Sequence, residues 1–163
     1  MKRLTTLSRL LVLLPALVAV MFSAQQEVRA DEAMEKLVQA RQGYYKLVSH
    51  NAGVLFGMAK GDIEYSAELA ATHANNLLAL SKMDTGALWA AGTSKEEMPG
   101  KTRALKKIWD TYPEVAEKSK VWKAAVADMA AVAGTGVDAI RAKVGALGGG
   151  CKACHDNFRA ETF

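Results

Sequence analysis

Apolar residues recur at intervals of three and four through four long segments of the chain, residues 31–60, 62–81, 113–133 and 137–160. This spacing places the apolar side chains on one face of an α-helix, whereas the strict alternation typical of a half-buried strand is rare. In the last segment this face comprises Val137, Ile140, Val144, Leu147, Cys151, Cys154 and Phe158. The pattern therefore predicts an all-α protein.

Helix-breaking residues separate the four segments. Gly61 ends the first segment, Gly134-Thr135-Gly136 separates the third from the fourth, and Pro113 stands where a helix tolerates proline, in its first turn. The one long connection, residues 82–101, is rich in glycine and leads into a short helix over residues 102–109. Four amphipathic helices with mostly short connections predict an antiparallel four-helix bundle.

The first 30 residues have the three parts of a cleavable secretory signal peptide. Three basic residues precede an apolar stretch of 13 residues, 10–22, and a small-residue site follows. We predict cleavage after Ala30, with Ala24 as the second candidate. An uncleaved membrane anchor is the alternative, but the apolar stretch is shorter than the ~20 residues that a spanning helix requires, and it contains Pro15.

The leader also accounts for most of the positive charge of the chain. It holds four of the 21 basic residues and one of the 17 acidic residues, so residues 31–163 carry 17 basic and 16 acidic residues. A domain so close to neutral gives no reason to expect a nucleic-acid partner. We predict one exported domain, residues 31–163, located in the periplasm with no membrane span after cleavage.

Both cysteines of the chain lie in one pentapeptide, Cys151-Lys152-Ala153-Cys154-His155. The pattern C-x-x-C-H is the attachment signature of c-type haem. Residues three apart share a face of a helix, so Cys151 and Cys154 can bind the two vinyl groups of one haem through thioether bonds. His155 follows directly and can be the axial ligand of the iron. The motif therefore predicts one covalently bound haem c on the last helix, near the C-terminus.

Two other kinds of site use cysteines at this spacing. A structural zinc site usually requires four nitrogen or sulfur ligands, and the chain has no second cysteine pair. A thioredoxin-like redox pair is expected in a βαβ unit, which an all-α pattern does not provide. A haem-free thiol–disulfide protein is the alternative from another functional class.

Three consecutive glycines, Gly148-Gly149-Gly150, come just before the motif. In a helix they cost about 2–3 kcal/mol relative to alanine. We expect them to let a large group, the porphyrin, approach the backbone closely. A break between two shorter helices is the alternative.

An exported four-helix chain with C-x-x-C-H near its C-terminus resembles the cytochrome c′ family. The resemblance covers essentially all of residues 31–163. It is carried by residues 151–159, by Ala40-Arg41-Gln42 with Tyr45 in the first helix, and by Ala91-Gly92-Thr93 with Ile108-Trp109 in the connection.

This resemblance implies one haem in an antiparallel bundle, with a five-coordinate, high-spin iron that binds nitric oxide and carbon monoxide. It also implies dimerisation through the first two helices. A side chain four residues after the arginine of the first helix covers the sixth coordination position in this family. Here that residue is Tyr45.

Five further residues are haem contacts by the same resemblance. Arg41 and Gln42 correspond to the pair that meets the haem propionates, and Thr102 and Arg103 to the connection that covers the same edge. Arg159 corresponds to the basic residue beside the proximal face. A solvated arginine is the alternative for Arg41, and pairing with the C-terminal helix dipole is the alternative for Arg159.

Four residues compete with Tyr45 for the position over the iron. Tyr44 takes its place if the register is shifted by one residue. Met34 lies on nearly the same helix face but about 16 Å away along the axis, so we expect it in the core. His50 is expected on a different face of the first helix, and His73 in the core of the bundle.

We therefore predict a periplasmic mono-haem c-type cytochrome that transfers single electrons and binds nitric oxide and carbon monoxide. No acid–base pair is evident, so we do not expect an enzyme. The expected partners are a periplasmic redox protein, the diatomic gases and a second copy of the chain in a homodimer. A low-spin, six-coordinate electron carrier with a methionine as sixth ligand is the main alternative. The lysines that can dock an acidic partner are Lys101, Lys106, Lys107, Lys118, Lys120 and Lys123.

Overall fold

The computed structural model describes the backbone of residues 4–163 and the side chains of residues 29–163. The signal peptide predicted over residues 1–30 lies almost entirely outside the residues whose side chains are described, and it stays a prediction. Within the described residues, no helix is long and apolar enough to cross a membrane. The chain divides into two compact units, Met1–Lys36 and Leu37–Phe163, and the second holds the helical bundle.

Five α-helices are present in the described residues. They are α1 Leu4–Lys60, α2 Ala67–Lys82, α3 Lys107–Asp110, α4 Tyr112–Val132 and α5 Val137–Phe158. The described residues contain no strand beyond one isolated bridge between Ala104 and Arg159. The all-α prediction is confirmed, with four long helices and one of a single turn.

Three helix boundaries differ by several residues from those predicted. Helix α1 begins at Leu4 rather than at residue 31. Helix α2 begins at Ala67 rather than at residue 62, because the Ser66 hydroxyl caps it by accepting a 3.3 Å hydrogen bond from the Leu69 backbone N–H. The short helix predicted over residues 102–109 covers only Lys107–Asp110. The preceding residues instead bond to the end of the chain, where the Leu105 backbone N–H donates to the Phe158 carbonyl at 3.0 Å.

Helices α4 and α5 pack antiparallel to each other. Near the start of α5, the Lys143 ammonium lies 2.9 Å from the Asp128 carboxylate, toward the end of α4. Further along α5, Gly150 lies against Trp122, near the middle of α4. Residues later in α5 therefore contact residues earlier in α4, as they do in an antiparallel pair.

Helices α1 and α2 are antiparallel on the same grounds. The Tyr44 hydroxyl of α1 donates to the Leu80 carbonyl late in α2 at 3.0 Å, whereas Asn51 meets His73 earlier in α2 at 2.9 Å. These contacts support the predicted antiparallel bundle.

The core takes side chains from all four long helices. Its fully buried large members are Leu55, Met58, Leu77, Val126, Met129, Ile140 and Leu147. On α2 the buried residues are Ala70, Ala74, Leu77 and Ser81, whereas Leu69 is 40% exposed.

Candidate haem-binding site

The C-x-x-C-H motif lies in the last two turns of α5, which ends at Phe158. The thiols of Cys151 and Cys154 are free and half-buried. Because they are three residues apart on a helix, they share one face. His155 is also half-buried, and its carbonyl accepts a 3.2 Å hydrogen bond from the Arg159 backbone N–H, which caps the helix. Helix α5 therefore brings both thiols and the imidazole to one end of the bundle.

Burial raises the pKa of both thiols. At Cys151 a hydrogen bond with the Trp122 side chain opposes this effect, and at Cys154 the positive charges of Lys118 and Arg159 oppose it. Cysteines of catalytic C-x-x-C redox pairs have a lowered pKa instead, because the thiolate is the attacking species. The direction of the shift thus counts against the haem-free thiol–disulfide alternative.

The imidazole of His155 is kept neutral by its surroundings. Burial lowers its pKa, and the nearby guanidinium groups of Arg159 and Arg103 lower it further, whereas Asp156 raises it. Neutral imidazole is the form that binds iron. The structure therefore brings the predicted residues Arg103 and Arg159 close enough to His155 to act on its charge.

The glycines before the motif serve helix packing. A Cβ atom on Gly150 would lie 3.0 Å from the Trp122 Cα, and one on Gly148 would lie 3.6 Å from the Phe56 ring. Nothing lies within 4 Å of the equivalent position on Gly149. Helix α5 runs through all three residues, so the alternative of a helix break is wrong. Helix α4 makes the close approach at Gly150, and the approach of a porphyrin to these glycines stays a prediction.

The two adjacent tyrosines of α1 have different surroundings. Tyr44 is only 8% exposed and is held in the core by its hydrogen bond to Leu80. Tyr45 is 43% exposed and close enough to Cys154 of α5 for the two to interact electrostatically. Burial of its hydroxyl within the site, together with Cys154 and Tyr44, raises the pKa of Tyr45, so the phenol stays neutral. Of the two tyrosines, Tyr45 is the one that faces the motif.

Arg41 is buried, with 3% of its surface exposed, and so the solvated alternative is wrong. Its Nη1 donates to the Leu88 carbonyl at 3.3 Å and to Thr93 Oγ1 at 3.0 Å. Its Nη2 donates to the Thr93 carbonyl at 2.9 Å and to Thr102 Oγ1 at 3.1 Å. The guanidinium therefore fastens the connection between α2 and α3 to helix α1. The prediction that Arg41 also meets a haem propionate stays a prediction.

Trp89 of the connection contacts both Arg41 and Tyr45, and Trp109 of α3 packs against Trp89 with ring centroids 6.0 Å apart. The Arg41 Cζ lies 4.5 Å from the centroid of Trp89, and the Tyr45 and Trp89 ring centroids are 6.2 Å apart. Trp109 donates through its indole N–H to the Trp89 carbonyl at 2.9 Å. Sequence reasoning named Thr93 only as part of the resemblance, and it missed Trp89, although a tryptophan within a glycine-rich connection was an available signal.

Gln42 and Arg103 bond to backbone at this edge. Gln42 Nε2 donates to the Lys101 carbonyl at 2.7 Å, and Arg103 Nη1 donates to the Glu161 carbonyl at 2.9 Å. Gln42 thus supports the connection beside Arg41, whereas Arg103 holds the C-terminal residues. Their predicted roles as haem contacts stay predictions.

These residues fit a haem c. Two free thiols at helical spacing, a neutral imidazole and a neutral aromatic side chain from α1 converge on the same end of the bundle. In the part of the chain that is described, no group of three or more histidine, cysteine or acidic residues could hold a metal ion by itself. The donor set thus suits an iron that a porphyrin supplies rather than a zinc ion.

The sequence matches the family described as Cytochrome C′ over residues 36–159. A cytochrome c′ of Cereibacter sphaeroides is 39% identical over 150 residues, which cover 92% of this chain and 97% of that protein.

Solved structures agree with the sequence match. A cytochrome c′ from Rhodobacter Spheriodes superposes with a TM-score of 0.76 and 41% identity, covering 78% of this chain and 98% of that one. A second cytochrome c′, described as having an unusual ligand-controlled dimer dissociation, superposes with a TM-score of 0.71 and 28% identity, covering 78% and 97%.

Proposed function

We propose, from the membership of this chain in the cytochrome c′ family, that it is a periplasmic cytochrome with a single haem and that it binds nitric oxide and carbon monoxide. Members of this family carry covalently bound haem c. The haem supplies a one-electron iron centre with an axial position for a diatomic ligand. Electron transfer by a haem c-type cytochrome is the general activity. The gas binding, the single haem and the compartment are the proposed specifics.

Attachment is assigned to Cys151 and Cys154, and axial ligation to His155. Each thiol would hold the haem through a thioether bond, formed by adding its sulfur to one vinyl carbon and its hydrogen to the other. The end of α5 supports this assignment, since both thiols are free, half-buried and on one face. Arg103 and Arg159 favour neutral His155, which keeps its nitrogen lone pair available.

The observation that carries the gas-binding proposal is the placement of Tyr45. A neutral phenol is a poor iron ligand, so Tyr45 would cover the sixth position without binding the iron. A diatomic gas would have to displace the Tyr45 ring in order to bind. Trp89 supports that ring, and Arg41 holds Trp89 in place.

Two methionines and the two histidines outside the motif have other surroundings. Met58 and Met129 are fully buried in the core. His50 and His73 face each other between α1 and α2, with ring centroids 5.6 Å apart. We therefore favour the five-coordinate state over the methionine-ligated electron carrier.

We propose a homodimer and a separate redox partner protein as interaction partners, and no enzymatic turnover. The relative described as having ligand-controlled dimer dissociation supports both a dimer and the binding of an added ligand. Two of the lysines considered for docking are paired with acidic residues of α4, Lys118 with Glu114 at 3.7 Å and Lys120 with Glu117 at 2.5 Å.

Carbon monoxide binding to the reduced holoprotein tests the role of Tyr45. We expect Tyr45→Ala to raise the affinity for carbon monoxide by about tenfold, equivalent to about 1.4 kcal/mol, because the ligand no longer displaces a ring. Optical titration measures this affinity.

Tyr44→Phe is the matched control, because it removes only the hydroxyl that binds Leu80 in the core. Its carbon monoxide affinity should equal that of the unmodified protein. Equal affinities for Tyr45→Ala and the unmodified protein would show that Tyr45 does not cover the iron. A reduced protein that binds no carbon monoxide would overturn the gas-binding proposal as a whole.

A further inference from the structure

A pair of imidazoles lies between α1 and α2, outside the C-x-x-C-H motif. The ring centroids of His50 on α1 and His73 on α2 are 5.6 Å apart, and the ring planes meet at 68°. His50 is exposed and His73 is half-buried. The function proposed above uses neither ring, and so the pair calls for an explanation of its own.

Asn51 fixes which nitrogen of His73 carries the hydrogen. The Asn51 Nδ2 donates to the Leu47 carbonyl at 2.8 Å, which orients the amide and turns Oδ1 toward α2. This oxygen lies 2.9 Å from Nδ1 of His73 and accepts a 3.1 Å hydrogen bond from Asn76 Nδ2. An amide oxygen only accepts, so His73 Nδ1 donates, and in the neutral ring the lone pair is on Nε2.

This arrangement is the one that metal-binding histidines show in proteins. Such a histidine almost always donates one ring N–H to an oxygen acceptor, which fixes the ring and leaves the other nitrogen to the metal. His73 is therefore oriented as such a ligand is, with Nδ1 on the Asn51 amide oxygen and the lone pair on Nε2.

The separation of the two rings suits a shared metal ion. With a metal–nitrogen bond of about 2.1 Å, each ring centroid lies about 3.2 Å from the metal, so two bound rings at angles of about 90–120° have centroids about 4.5–5.5 Å apart. The observed separation of 5.6 Å is just above this range. Since His50 is exposed, its side chain can rotate toward the metal without disturbing the core.

We propose that His50 and His73 form a second metal site, which binds one divalent transition-metal ion with water completing its coordination. Imidazole suits zinc, nickel and copper, and copper(II) binds such ligands most tightly of the divalent first-row metals. Within the described residues no third histidine, cysteine or acidic side chain joins the pair. The protein thus supplies two ligands, one from each helix, and the bound ion links α1 to α2.

Copper(II) alone, added to the haem-loaded protein, is the probe for this site. We expect isothermal titration calorimetry to give one copper ion per chain and the copper EPR signal to show coupling to two nitrogen nuclei. His50→Gln and His73→Gln should each weaken copper binding at least tenfold. These outcomes do not depend on the state of the haem iron, so they stand or fall separately from the proposed function.

Asn51→Ala tests the positioning of His73. We expect a loss of copper affinity of about tenfold or more, since the ring is no longer held in one tautomer. Asn75→Ala is the control, an exposed asparagine on α2, the helix of His73, and should bind copper normally. Circular dichroism shows whether each variant folds. If Asn51→Ala does not fold, copper binding by His50→Gln, a change at an exposed position, still tests the metal site.

Copper affinity that is unchanged in both histidine variants would overturn the proposal, because the ion would then be bound elsewhere on the chain. An EPR signal with only one coupled nitrogen would also overturn it, since the site requires both rings.

Discussion

The buried side chain of Arg41 holds the connection between α2 and α3 against α1, next to Tyr45. It donates to oxygens of Leu88, Thr93 and Thr102 and lies over the ring of Trp89. We expect Arg41→Gln to lower the free energy of unfolding by about 2–4 kcal/mol, because buried acceptors lose a charged donor. Chemical denaturation of the holoprotein measures the change.

Gln42→Ala is the neighbouring control for this prediction. Gln42 donates one hydrogen bond, to the Lys101 carbonyl, at an exposed position. Its loss should cost about 0.5–1 kcal/mol. If Arg41→Gln costs no more than Gln42→Ala, the buried network does not fasten the connection to α1.

The sequence could separate Tyr45 from Tyr44 only through the resemblance, by counting from Arg41. The physical reason for the difference is long-range. Tyr44 reaches the Leu80 carbonyl of α2, 36 positions away, while Tyr45 points toward Trp89 and α5. A helix face can be predicted from spacing, but which neighbour covers it cannot.

At the scale of the helices, the contact of Gly150 with Trp122 sets how closely α4 and α5 approach beside the motif. We expect Gly150→Ala to destabilise the holoprotein by about 1–3 kcal/mol, because the added methyl group meets the Trp122 backbone at 3.0 Å. Thermal or chemical unfolding measures the change.

Gly145→Ala on the same helix is the control. No atom lies within 4 Å of its added methyl group, so the higher helix propensity of alanine should stabilise α5 by up to about 1 kcal/mol. Destabilisation of similar size in both variants would mean that helix packing at Gly150 is not the cause.

Helix ends were predictable where a residue itself stops the helix. Gly61, with φ of +88°, ends α1 as predicted, because a left-handed conformation favours glycine. The residues before α3 were wrongly predicted as helix. Their backbone pairs with residues that follow α5, as Ala104 does with Arg159, about 55 positions away. A pattern of neighbouring residues cannot predict a partner so far along the chain.

Across the whole molecule, the chemistry of the site was predictable from five consecutive residues, whereas its distal support was not. The C-x-x-C-H motif specifies its donors through spacing on one helix. The partners of Arg41 instead lie 47 to 61 positions away along the chain. Only the folded bundle brings Leu88, Thr93 and Thr102 to one guanidinium.

The central claim is a five-coordinate haem iron, bound by His155 and covered by Tyr45. The optical spectrum of the haem-loaded protein, reduced and then exposed to carbon monoxide, tests it most directly. We predict a broad, high-spin Soret band in the reduced protein that shifts when carbon monoxide is added. Sharp low-spin α and β bands that carbon monoxide leaves unchanged would contradict the claim and indicate a methionine over the iron.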